Sequence, residues 1–226
     1  MIRIIHLLPI LTLTFISHTL VGQDWPNLNK YAEDNSKISN KEVGRVVFMG
    51  NSITKGWGNA DPDFFNGKPY VNRGIGGQTT PQMLIRFRQD VVDLDPEAVV
   101  ILAGTNDIAG NTGPSTLKMI ADNIFSMAEI AQANGIKVVI SSVLPVYDYP
   151  WKPGLEPAQK IIALNQMLSD YAISNGHFYL DYHSTMKDER NGLPKKYASD
   201  EVHPTKEGYQ VMGQMVEALL SSILTK

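Results

Sequence analysis

The apolar positions of the chain fall into two kinds of run. Short stretches without alternation, Arg45–Met49 (RVVFM), Ala98–Leu102 (AVVIL) and Lys137–Ser142 (KVVISS), predict strands covered on both faces. Weaker strands are expected at Tyr70–Asn72 and His177–Leu180. Segments with helical spacing separate them. Thr80-Pro81 opens one, with Thr80 as cap and Pro81 at the first helical position. Met83, Leu84, Phe87, Val91 and Leu94 then recur on one face until Asp95-Pro96 stops the helix. Ser115–Asn134 and Pro157–Asn175 read as longer helices, each followed by a glycine suited to a left-handed cap, Gly135 and Gly176. Thr205–Leu224 holds a final helix, and Asp24–Ile38 a short leading one.

Strand followed by helix, repeated along the chain, predicts an α/β fold with a parallel sheet. The expected form is a three-layer α/β/α sandwich of flavodoxin-like type, five strands in the order 2-1-3-4-5. No repeat or linker divides the chain, so residues 23–226 are expected to form a single catalytic domain.

The first 22 residues, MIRIIHLLPILTLTFISHTLVG, carry one early positive charge, an apolar stretch too short to span a bilayer, and a small residue at the end. They read as a signal peptide cleaved before Gln23. A periplasmic or secreted protein with no stable membrane insertion is expected.

Of the 226 residues, 43% are hydrophobic and 19% charged, enough apolar content for a core. The net charge of −3 and the lack of a basic run argue against nucleic acid as a partner, because that affinity rests on neutralising phosphates. The absence of cysteine excludes disulfides, thiolate metal sites, a cysteine nucleophile and a lipid-modified cysteine.

In open parallel sheets the chemistry collects beyond the carboxyl ends of the strands. Polar clusters follow the strands there: Gly50-Asn51-Ser52-Ile53-Thr54, Asn72-Arg73-Gly74-Ile75-Gly76-Gly77-Gln78-Thr79, Gly104-Thr105-Asn106-Asp107 and Asp200-Glu201-Val202-His203-Pro204. A serine needs a base to become a nucleophile, and histidine is the natural one. His203 has Asp200 three residues before it, close enough in a turn to hold the other ring nitrogen. The backbone N–H groups of Ser52 and Gly77 and the Asn106 amide are candidate oxyanion donors. His177 and His183 lack metal-ligand spacing and read as structural or surface residues. Gly74-Ile75-Gly76 matches only half of a dinucleotide fingerprint, so a flavodoxin-like cofactor module is a weak alternative.

The four clusters, in this order, resemble the signature blocks of the SGNH, or GDSL-type, hydrolases. The resemblance spans nearly all of the chain after the leader. It implies the same sandwich fold, Ser52 as nucleophile, Gly77 and Asn106 with Ser52 as the oxyanion hole, and His203 with Asp200 completing the triad. It also implies esterase activity without cofactor or metal. One position departs from the family pattern: residue 51 is Asn where the block usually has Asp.

The loop Leu144–Pro153 carries Tyr147, Tyr149 and Trp151 between prolines. It reads either as a wall of the substrate site, such as a platform for a sugar ring, or as a lid packed on the core. Arg73 is a candidate either for substrate contact or for pairing with a carboxylate. The resulting expectation is a serine esterase acting on small acyl esters, O-acetyl groups on carbohydrates in particular. The alternatives are a lysophospholipase or thioesterase with longer acyl chains, and a non-catalytic carbohydrate-binding relative.

Overall fold

In the computed structural model, residues 23–38 and 42–224 are described. The expected signal peptide lies outside them. Five strands form one sheet: β1 (Val46–Gly50), β2 (Tyr70–Gly74), β3 (Ala98–Leu102), β4 (Lys137–Ser141) and β5 (Phe178–Leu180). Every pairing is parallel, and the order is β2-β1-β3-β4-β5. The expected topology holds. The first strand starts one residue later than its apolar run, because the Arg45 N–H is turned back to the Glu42 carbonyl, while its buried guanidinium donates to the Leu94 carbonyl.

Alternate residues of each strand feed two cores. Val47, Met49, Val99, Ile101, Val138 and Ile140 face α3 (Thr80–Asp90), α5 (Leu117–Ala133) and α6 (Pro157–Ser174). Val46, Phe48, Ala98, Val100 and Val139 face α2 (Ser52–Ala60), α7 (Tyr182–Met186) and α8 (Lys206–Ile223). Both faces are therefore dry, which is why the strands read as continuous apolar runs. On the second face Trp57 stacks between Phe64 and Tyr209, at ring separations of 4.3 and 5.5 Å. The Tyr209 hydroxyl donates to the Ile53 carbonyl at 2.8 Å and so clamps α8 to the start of α2.

Two helix ends differ from the sequence pattern. The cap of α3 is Thr79, whose N–H donates to the Gln82 side chain at 3.1 Å, and Pro81 sits at the second helical position. The Thr80 hydroxyl and N–H are spent on Asp107 instead. α3 also stops at Asp90, and Val92–Leu94 forms a separate 3-10 turn ending on Asp95 with φ 48°. The apolar period continues through the break because both pieces pack on the same core.

The leading segment is not one helix but a 3-10 turn, Leu28–Lys30, followed by α1 (Ala32–Lys37). It packs on the sheet edge. The Tyr31 hydroxyl donates to Gly74 O at 2.5 Å, and Asn35 Nδ2 to Asp90 Oδ1 at 2.8 Å. No helix among the described residues is long and apolar enough to cross a membrane.

Candidate active site

The carboxyl end of β1 turns at once into α2. Asn51 is the N-cap, and its side-chain oxygen accepts the Ile53 N–H at 2.9 Å. This places Ser52 at the first helical position, half-buried, with its own N–H among the first-turn donors that a helix cannot satisfy internally. The turn is possible because residue 50 is glycine: a Cβ there would collide with the Thr54 side chain and the Leu102 carbonyl. The acceptor that Asn51 supplies is the one an Asp would supply, so the departure at position 51 leaves the cap in place.

From the opposite end of the chain, a short antiparallel bridge between Ala198 and Pro204 closes a loop just before α8. Inside it Asp200 Oδ1 accepts the N–H groups of Val202 and His203 at 3.0 and 2.7 Å. Asp200 Oδ2 lies 2.7 Å from His203 Nδ1, and His203 Nε2 lies 2.9 Å from Ser52 Oγ. Partial burial raises the Asp200 carboxyl, but the His203 N–H, the His203 ring and the Val202 N–H outweigh it, and the net is below the ordinary carboxylate value. The carboxylate thus stays charged beside the imidazole. A hydroxyl, an imidazole and a carboxylate in this sequence of contacts can move a proton off the hydroxyl.

The loops after β2 and β3 flank the end of β1, because those strands are its two neighbours in the sheet. Gly77 is exposed with φ 76°, a left-handed turn that glycine adopts without steric cost. Asn106 lies on α4 (Thr105–Ile108), almost fully buried, and one N–H of its side chain donates to Gln78 O at 2.9 Å. That bond fixes the amide against the Gly77 turn and leaves its second hydrogen for another acceptor.

Two buried polar residues hold these loops together: Asp107, within the cluster that follows β3, and Arg86, which nothing in the sequence singled out. Arg86 on α3 has a fully buried side chain. Its guanidinium donates to Gly50 O at 3.0 Å, Arg73 O at 2.9 Å, Gln78 Oε1 at 2.6 Å and Asp90 Oδ2 at 2.9 Å. It therefore ties the ends of β1 and β2 to the Gly77 loop. Asp107 Oδ1 accepts the Thr80 N–H at 2.9 Å and its hydroxyl at 2.6 Å. Burial pushes the Asp107 carboxyl up to about 6, against the lowering effect of those bonds.

The aromatic loop divides. Asn165 brackets its start by bonding both Val143 N–H and Val143 O, at 2.8 and 3.0 Å. Tyr149 is fully buried and its hydroxyl donates to Thr105 O at 2.8 Å, so it is the anchor of the loop and not its substrate face. Trp151 is 48% exposed, 5.2 Å from the Tyr149 ring and 6.2 Å from the His203 ring. Tyr147 is exposed too, but its ring carries the Arg190 guanidinium at 4.8 Å. Arg73 is buried: its Nε donates to Asn35 Oδ1 at 2.9 Å and its guanidinium lies 4.6 Å over the Tyr31 ring. Its side-chain contacts are with the leading segment and the Asn72 carbonyl, not with Ser52 or His203. His177 stands near the Tyr171 ring at 5.8 Å, and the buried His183 receives its backbone anchor from Ser142.

The model of the GDSL-like lipase/acylhydrolase family matches residues 48–211. A solved structure from Bacteroides fragilis NCTC 9343, provisionally named an acylhydrolase, is 46% identical and covers 90% of this chain and 100% of its own, with a TM-score of 0.87. A GDSL-like lipase from Bacteroides thetaiotaomicron VPI-5482 is 44% identical over 88% of this chain and 99% of its own, with a TM-score of 0.86. The lipoprotein YqeF of Bacillus subtilis (strain 168) is 27% identical over 150 residues, 63% of this chain. That match spans 58% of the length of YqeF. The chain belongs to the GDSL-like lipase/acylhydrolase family.

Proposed function

We propose that the protein is an exported serine esterase that removes small acyl groups, O-acetyl in particular, from carbohydrate hydroxyls. The observation that carries this reading is the continuous line from Ser52 Oγ through the His203 ring to Asp200, with contacts of 2.9 and 2.7 Å. In this reading Ser52 Oγ attacks the ester carbonyl carbon while His203 Nε2 takes its proton. The carbonyl π pair moves onto oxygen, where the Ser52 N–H, the Gly77 N–H and the Asn106 amide receive it. Asp200 holds the Nδ1–H, which fixes the tautomer and stabilises the imidazolium. Collapse re-forms the carbonyl and breaks the bond to the alcohol oxygen, which takes the proton from His203. Water then gives a proton to His203, attacks the acyl-Ser52 carbon and releases the acid, and the proton returns to Ser52. The balance is ester plus water to acid plus alcohol, with no cofactor.

The preference for a sugar ester rests on the exposed Trp151 ring beside His203, since an indole face suits the C–H face of a sugar ring. Export is supported by the apolar leader and by the likeness to a lipoprotein; with no cysteine, this chain has no site for that type of lipid anchor. The two cores on one sheet support reading residues 23–226 as one catalytic domain. Hydrolysis of p-nitrophenyl acetate and p-nitrophenyl octanoate by residues 23–226 tests the acyl preference, with Ser52→Ala as control. Serine-dependent preference for acetate is expected. Preference for octanoate would move the reading to long-chain acyl substrates, and serine-independent turnover would overturn it.

A further inference from the structure

The leading segment brings a second exposed indole to the end of the sheet that carries Ser52. Trp25 is 42% exposed, yet its backbone is fixed. Its carbonyl accepts from Gln82 Nε2 at 2.8 Å, and the carbonyl of the buried Pro26 accepts from Gln78 Nε2 at 2.7 Å. Asp24 closes the turn behind it, accepting the N–H groups of Leu28 and Asn29 at 2.8 and 3.1 Å. An aromatic ring on a fixed backbone loses little entropy when it becomes a contact surface.

Trp25 borders a cleft of about 300 Å³ whose other walls include Gly77, Gln82, Asn111 and Thr112. Gly77, Asn111 and Thr112 belong to the loops around Gly77 and Asn106, and Gln82 to the first turn of α3. The Asn111 N–H donates to Asn106 O at 3.0 Å, and the Asn111 side-chain amide to Gly77 O at 3.1 Å. The cleft thus borders the Gly77 turn and Gln78, whose carbonyl holds the Asn106 amide. An acyl chain placed there would desolvate the amides and hydroxyls without pairing them. A sugar ring meets both features, its C–H face on the indole and its hydroxyls on the amides. The Asp24 carboxylate, held below its ordinary value by the Leu28 and Asn29 N–H groups, adds a fixed negative charge that disfavours an anionic ring.

We infer that this cleft is a subsite for a neutral sugar ring next to the acylated one, with Trp25 as its platform. The inference rests on the esterase reading above and extends it: a sugar ring beyond the acylated one would meet Trp25 past the Gly77 turn.

The test compares mono-O-acetylated xylotriose with p-nitrophenyl acetate in wild type, Trp25→Ala and Trp25→Tyr. Selectivity for the oligosaccharide, as the ratio of the two kcat/KM values, is expected to fall about tenfold in Trp25→Ala, through KM, and to recover largely in Trp25→Tyr. A ratio that does not change overturns the subsite. A second arm avoids turnover: unacetylated xylotriose is titrated into Ser52→Ala protein and read by indole fluorescence, with and without Trp25→Ala. Binding that needs Trp25 supports the subsite even where no ester is hydrolysed, an outcome that would instead sink the esterase reading. Serine-dependent hydrolysis of p-nitrophenyl acetate with no xylotriose binding keeps the esterase and overturns the subsite.

Discussion

Asp107 receives both the N–H and the hydroxyl of Thr80, and this one carboxylate joins the loop after β3 to the start of the helix after β2. Its burial raises the carboxyl to about 6, whereas an unfolded Asp titrates near 3.9. Between those values the folded protein holds a proton that the unfolded chain has lost. Stability from this group is therefore present below about pH 4 and is lost as pH rises through about 6, by roughly 3 kcal/mol in all. Asp107→Asn keeps an acceptor for Thr80 and cannot ionise. Its stability relative to wild type should rise by about 2–3 kcal/mol between pH 4 and 7 in denaturant titrations. Parallel pH curves for the two proteins would refute the raised value.

Arg86 serves four fixed acceptors from a dry position. Arg86→Ala removes the ion-pair partner of Asp90 Oδ2, whose side chain is 1% exposed, and leaves only side-chain amides on Oδ1, a loss expected at about 3 kcal/mol in chemical unfolding. Arg86→Lys should recover little, because an ammonium cannot reach four acceptors spread around a planar fork. Near-wild-type stability of the lysine variant would contradict this assignment.

The Asn106 amide is held by Gln78 O with one hydrogen to spare. If that hydrogen meets the oxyanion, Asn106→Ala should lower kcat by about 10²–10³ with a much smaller change in KM. A matched loss of thermal stability and no specific fall in kcat would make Asn106 a loop anchor only.

Asp200 and Asn51 make a contrasting pair. Asp200→Asn retains an oxygen for the Val202 and His203 N–H groups but places an amide against His203 Nδ1, which reverses the ring tautomer. Turnover should fall by about 10⁴ in a folded protein. Asn51→Asp preserves the cap on Ile53 and adds a charge favourable at a helix start. Its activity should stay within about threefold of wild type, under 1 kcal/mol of barrier. Equal damage at both positions would mean that residue 51 takes part in the chemistry.

The parts of the molecule that the sequence made legible share a cause. The strands are dry on both faces, so Val46–Gly50 and Ala98–Leu102 stand out as unbroken apolar runs, and the polar residues that follow them mark the edge where Ser52, Asn106 and His203 gather. Other features exist only in three dimensions. Arg86 and Asp90 sit four residues apart within the polar stretch RFRQD and look like a solvated helix pair, although the fold buries both. Thr80 satisfies every rule for a cap, but Asp107, 27 positions away, claims its donors. In the loop after β4, no local period says that Tyr149 turns inward and Trp151 outward, because loops have none. The leading segment reads as one short helix, whereas its asparagine and backbone carbonyls are committed to side chains of α3 and β2.

In the proposed reaction Ser52 is made nucleophilic by His203. The most direct test is to treat residues 23–226 with a fluorophosphonate and to locate the adduct by peptide mass spectrometry. One adduct per chain is expected, on Ser52, formed far more slowly in His203→Ala. Labelling elsewhere, or at an undiminished rate without His203, would contradict it.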